Sequence, residues 1–405
     1  MTTGRPFRIF ILLLTFLPVL LSSCSGGNDA LSLRMVRSEM VRNADASYLD
    51  GMNGKLKWNY TIGLELQSFV AVSDEYGVTE PFEYAKAWVD TVLETVSATG
   101  KTLNYKKSAY VLDHICPGCL TASLYRHCGD ARYKKVIDTL FSQLVEQPRT
   151  QAGPFWHKAV YPHQVWLDGV YMAMPFYAAY VMEFVPEQER GAYWKDIVSE
   201  FTVTAEKTLD PVTGLYRHAW DESRSMFWAD PETGLSAHAW GRAEGWFAMA
   251  LVDVLEIMPT DVPDRESLVE IVRHLAATLP SWAESESGMW YQVLDCPGRE
   301  GNYLESSCSI MFTYMYLKAV RLGVLDSSSK NYACDLYGRF NKRFVRENAD
   351  GTLSITSCCS VAGLGGKQNR SGNFDYYISE PVIENDCKAV GAYILASLEY
   401  ERYFK

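Results

Sequence analysis

Residues 169–185 read GVYMAMPFYAAYVMEFV, with Glu183 as the one charged position. A helix apolar on nearly every side leaves no face for water and must be buried. Residues 246–258 (WFAMALVDVLEIM) and 308–317 (CSIMFTYMYL) have the same character. Between them lie stretches such as 188–208 and 329–345 that carry charge along one face, as a covering helix does. Working outward, helical character occurs near 33–43, 59–77, 82–98, 119–127, 131–147, 169–185, 188–208, 239–258, 265–283, 306–323, 329–345 and 386–402. From Tyr133 onward, Val136, Ile137, Leu140, Phe141 and Leu144 repeat at helical spacing. Pro81 suits a first helical position and Asp130 a cap. Amphipathic and all-apolar stretches alternate in six pairs. The fold class expected is all-α, an (α/α)6 barrel with small β-hairpin insertions in the loops, one of them near 214–220.

The chain has 405 residues, and no Pro/Gly/Ser-rich linker divides it, so a single domain is expected over 33–405. Its 38 basic and 49 acidic residues leave a formal charge of -11, which argues against a nucleic-acid partner. With 11 Trp and 25 Tyr, aromatic rings are plentiful. They suit either a large core or a cleft that stacks on pyranose faces, and composition does not separate the two.

Arg5 and Arg8 precede an apolar run from Ile9 to Leu21, which is too short to cross a bilayer and has the length of a signal segment. The run ends in Leu21-Ser22-Ser23-Cys24, which resembles a bacterial lipobox. Residues 1–23 are expected to be a lipoprotein signal peptide, Cys24 the lipidated residue, and 24–32 a tether. The expectation is an exported lipoprotein, periplasmic or outer-membrane anchored, touching membrane only through that lipid. Nine further Cys are an odd number and do not all pair. Cys116-Pro117-Gly118-Cys119 has redox spacing but no thioredoxin-like surroundings, so these thiols are read as structural or free.

The long connections, 99–118, 148–168, 209–238, 284–305 and 346–385, fall just before the apolar helices. They end in residues that a loop has no packing reason to hold: Trp58 and Tyr60; Asp113 and His114; His157, Lys158, Trp166 and Asp168; His218, Trp240, Arg242 and Trp246; Glu305; Tyr376 and Glu380. If the inner helices run parallel, these residues meet at one end. Helix starts there favour an anion, and a rim of Trp and Tyr with carboxylates and an Arg suits an acidic sugar. Asp168 could be a helix cap. Beside Trp166 and an apolar wall it could instead hold a proton near neutrality. No metal cluster, P-loop or dinucleotide fingerprint is visible, so no cofactor and no metal are expected.

The segments HKAVYPHQVWLDGVYMAMPFYAAY (157–180), GLYRHAWDES (214–223), WADPETGLSAHAWGRAEGWFAMALVD (228–253) and YYISEPVIENDCKAVGAYILA (376–396) resemble glycoside hydrolase family 105, close to family 88. The resemblance runs from about residue 55 to the C-terminus. It implies an (α/α)6 barrel. It also implies hydration of an oligosaccharide ending in a Δ4,5-unsaturated uronic acid, a galacturonyl unit from lyase-cleaved rhamnogalacturonan or a similar polymer. By that likeness Asp168 matches the acid/base and Asp113 a second assisting Asp. His157, Lys158, Trp166, Trp240, Arg242 and Trp246 match substrate-contacting positions, and His218, Trp58 and Tyr60 join them by placement. Where the family often has W-x-R-G-N-G-W, this chain has Ala243 and Glu244, expected to add bulk and an acid at the cleft. Two other readings compete: an inverting glycosidase on the same barrel, pairing Asp168 with Asp113 or Glu244, and a non-catalytic glycan-binding lipoprotein.

Overall fold

A computed structural model describes residues 30–100 and 102–404, together with residue 1. The readings of 1–23 as a signal peptide and of Cys24 as a lipid site lie outside the described residues. Among the described residues the helices are α1 (Leu31–Arg42), α2 (Tyr60–Tyr76), α3 (Glu80–Thr99), α4 (Pro117–Cys128), α5 (Ala131–Glu146), α6 (Leu167–Phe184), α7 (Arg190–Thr208), α8 (Gly241–Ile257), α9 (Arg265–Thr278), α10 (Ser306–Arg321), α11 (Lys330–Phe344), α12 (Phe374–Ser379) and α13 (Cys387–Arg402). Each expected stretch has its helix. The tether boundary is corrected: α1 already includes Leu31 and Ser32, and Ser32 bonds Glu401 through its amide and its hydroxyl. The six-residue α12, capped by Asn373, was not anticipated.

Helices α2, α4, α6, α8, α10 and α13 pack each against the next, and α13 returns to α2, so the inner ring closes. The amphipathic α1, α3, α5, α7, α9 and α11 lie outside them. This is the (α/α)6 barrel. The inner helices run parallel, because residues at like depth touch. A Cβ on Gly63 near the start of α2 would lie 2.9 Å from the Pro117 backbone at the start of α4. A Cβ on Gly391 in α13 would lie 3.2 Å from Glu65 Cα in α2. Glycine is needed where two inner backbones come this close. All six inner starts therefore gather at one end, the mouth.

The connections at the mouth are stitched by short pairings. Strand β1 (Gln164–Trp166) runs antiparallel to β2 (Ala219–Asp221), with Trp166 opposite Ala219. The expected strand at 214–220 is thus shorter and later, because Tyr216 makes only an isolated bridge to Leu209. Trp240 bridges Val293 and Tyr291 bridges Leu304, which ties the starts of α8 and α10 together. At the opposite end, Lys318 and Arg321 in the last turn of α10 face acidic partners, Asp253 and Glu256 for Lys318, Glu256 and Glu399 for Arg321. Cations in that position also offset the helix dipole.

Candidate active site

The site is built from the turns that precede α4, α6 and α8. Helix α6 begins at Leu167, so Asp168 stands inside its first turn and caps nothing. Its carboxylate faces His218 instead, with Oδ2 3.2 Å from Nε2. Neither atom is aligned for a hydrogen bond, and both are otherwise unpartnered. The Asp168 side chain is 15 % exposed while His218 is fully buried. On its far side, His218 Nδ1 lies 2.7 Å from the Tyr377 hydroxyl. The β1–β2 ladder holds this geometry, since the Leu167 amide donates to the His218 carbonyl.

Trp166 forms the wall. His157 stacks on it at 4.5 Å and 12°, Tyr161 at 5.2 Å and 9°, and His218 meets its edge. Gly169 permits the approach of His157, whose Nδ1 would lie 2.9 Å from a Cβ there. Burial, helped by Lys158, lowers His157 to about 4, so it is neutral at physiological pH.

Asp113 comes from a single 3-10 turn, Leu112–His114, that packs on α6. Lys158 Nζ lies 2.6 Å from its Oδ2, and His157 Nε2 lies 3.6 Å from Oδ1. Burial alone would raise this carboxyl, but Lys158 and His157 outweigh it and hold it at about 2. Asp113 is therefore an anion at any working pH and is not the proton donor. A depressed folded pKa stabilises the fold above the ordinary value of 3.8, and that gain is lost as pH falls from 3.8 toward 2. Its size is on the order of 2 kcal/mol. Lys158→Met is expected to move the acid-unfolding midpoint, followed by circular dichroism, to higher pH. Coincident midpoints would remove Lys158 as the cause.

Asp113, His157, Lys158, Trp166, Asp168 and His218 thus form one connected group. Behind it, Trp240 packs on His218 at 4.8 Å and donates its indole N–H to Gln292. Trp246 stacks on Tyr171 at 4.6 Å and meets the edge of Tyr60. Both tryptophans are buried and form the layer beneath the mouth. Tyr60 is half-buried, and a cavity of about 690 Å³ opens beside it, lined also by Tyr48, Asn59, Lys57 and Asn385.

Three expectations need correction. Trp58 does not face the cleft: its ring stacks on Trp88 of α3 at 5.5 Å, and its N–H donates to the His114 carbonyl. Arg242 is 1 % exposed and offers no free donor to a ligand. Its Nε donates to Ser307 Oγ, Nη1 to the Ser360 carbonyl, and Nη2 to Glu305 and the Cys359 carbonyl. Glu244 does not add an acid to the cleft, because it is fully buried and accepts from the Tyr216 amide. Burial holds its carboxyl well above the usual range. It is no partner for Asp168, and Ala243 is equally buried.

Sequence reasoning missed Tyr377, Tyr161 and Gln292. It chose Tyr376, whose hydroxyl accepts from the Gly363 amide, rather than its neighbour, which α12 turns inward. Only a helical period over 374–379 could have separated the two. Cys116 and Cys119 are free thiols at the start of α4, and burial pushes Cys119 up to about 12, far from a reactive thiolate. His238, Asp295 and Cys296 converge on the grouping, among the described residues, with the donor types of a metal site. It fits a metal poorly, since Arg217 already holds Asp295 Oδ2 at 2.7 Å.

Residues 31–404 match the family model described as Glycosyl Hydrolase Family 88. A solved glycoside hydrolase from family 105 of C. acetobutylicum is 39% identical, covers 92% of this chain and 99% of its own, and superposes with a TM-score of 0.86. Protein Atu3128 of Agrobacterium fabrum is 39% identical over 235 residues, 56% of this chain and 97% of its own length. The unsaturated rhamnogalacturonyl hydrolase YesR of Bacillus subtilis is 28% identical over 270 residues, 62% of this chain and 68% of its own.

Proposed function

This chain belongs to the related glycoside hydrolase families 88 and 105, and we propose that it removes a terminal Δ4,5-unsaturated galacturonyl residue from oligosaccharides produced by polysaccharide lyases. It is a glycoside hydrolase, and its relatives place it among those acting on unsaturated uronates. The name of the Bacillus relative supports the galacturonyl choice. The observation that carries the mechanism is the placement of Asp168, a carboxyl 15 % exposed beside Trp166, with its Oδ2 turned back on the buried His218.

In the proposed reaction the Asp168 carboxyl gives its proton to C4 of the enol ether. Positive charge develops at C5 and is shared with the ring oxygen. The Asp168 carboxylate then takes a proton from a water that adds its oxygen at C5. The hemiketal so formed opens, the aglycone leaves, and Asp168 is protonated again. One water is consumed, and one carboxyl serves both steps because they are sequential. Asp113, held ionised by Lys158, stabilises the cationic transition state and orients water or a sugar hydroxyl. Trp166, stacked with His157 and Tyr161, fixes their rings beside Asp168.

The test is a screen of unsaturated disaccharides from several lyases, read as loss of the ultraviolet absorbance of the conjugated double bond. Turnover of an unsaturated galacturonyl disaccharide, with saturated glycosides untouched, is the expected result. Cleavage of saturated glycosides instead would return the Asp113–Asp168 pair to an ordinary inverting role.

A further inference from the structure

Near the mouth, a loop at 361–372 folds against the Trp166 wall. Leu364 packs with Trp166, Ala219 and Trp228 in a small apolar cluster separate from the main core. The loop closes on itself through Gly365 and Arg370, each amide donating to the other's carbonyl at 2.9 and 3.1 Å. Arg370 then folds back across it. Nε donates to the Gly365 carbonyl at 3.2 Å, and Nη2 to the Leu364 carbonyl at 3.3 Å and the Tyr161 hydroxyl at 3.4 Å. The guanidinium rests on Gly363, where a Cβ would fall 2.4 Å from Nη1. Tyr161 stacks in turn on Trp166, two residues before Asp168.

Every anchor of this guanidinium is neutral. Among the described residues no carboxylate lies within 4.0 Å of it. The other cations buried or half-buried around the mouth are taken: Lys158 by Asp113, Arg242 by Glu305, Lys388 by Asp386. Partial burial of a charge without a counter-charge is unfavourable unless a ligand supplies one, and an Arg fork matches a carboxylate in shape. We propose that Arg370, laid on Gly363 and braced by Tyr161, binds an anionic group of the saccharide in the cleft. This rests on the reading of the site as one for unsaturated uronates and names a residue that recognises their charge.

Arg370→Gln and Arg370→Lys are compared with wild type on an unsaturated galacturonyl disaccharide, on its uronate methyl ester, and on a disaccharide with a second carboxylate on the aglycone. Arg370→Gln is expected to raise KM about tenfold or more on the free acid, the scale of one lost charge-assisted contact, with kcat lowered less than threefold. Arg370→Lys is expected to fall between the two. An unchanged KM on the methyl ester assigns the contact to the uronate itself. A loss confined to the substrate with the anionic aglycone assigns it to the neighbouring sugar. A KM that stays at the wild-type value on all three substrates, or rises equally on the neutral ester, overturns the proposal. If the wild type turns over no unsaturated substrate, the functional reading fails. Arg370 is then decided by calorimetric binding of digalacturonate, where equal Kd for wild type and Arg370→Gln counts against it.

Discussion

Asp168→Asn is expected to cut turnover of the unsaturated disaccharide by about a thousandfold or more. General acid–base catalysis by one placed group contributes roughly 10²–10⁴, and here a single carboxyl serves twice. The amide has nearly the same shape, so it should sit against His218 and Trp166 as the acid does. KM should therefore change little, and the melting temperature should stay close to wild type, because Asp168 caps no helix and makes no aligned hydrogen bond. Rates followed by loss of double-bond absorbance decide the matter. An Asp168→Asn enzyme within tenfold of wild type would sink the assignment and point toward a binding protein. His218 stands behind Asp168 and is itself held by the Tyr377 hydroxyl.

The second large effect is on stability. Glu305 is wholly buried at the cap of α10, where it accepts from the Cys308 amide, the Ser307 hydroxyl, the Cys359 amide and Arg242. Glu305→Ala strands the Arg242 guanidinium in the interior and uncaps the helix. Breaking such a pair costs about 3–5 kcal/mol, and in a ring of this size the melting temperature should fall by about 5 °C. Thermal unfolding measures this directly. The double change Arg242→Met with Glu305→Leu should recover part of the loss, since it is the unpaired charge that destabilises. A Glu305→Ala protein as stable as wild type would mean that Arg242 is held by the carbonyls of Cys359 and Ser360 alone.

The helices were legible because the alternation of all-apolar and one-sided stretches is a property of many residues at once, and the ring follows from it. Asp168, His157 and Trp166 could be placed together because they share one connection. Arg242 and Trp58 show where that reasoning ends. Residue type gives chemistry but not direction, and both side chains turn inward to partners far along the chain, Glu305 and Trp88. Arg370 was overlooked for the converse reason. It lies in a loop rich in Gly and polar residues, and its meaning comes from Tyr161, which is 209 positions away.

Helix α1 begins beside Glu401, near the C-terminal end of α13, and ends at Arg42, which lines the cavity at the mouth. Residue 30 therefore lies at the end of the ring opposite the mouth. A saccharide reaching the mouth thus approaches from the side away from residue 30 and from the paired ends of α1 and α13.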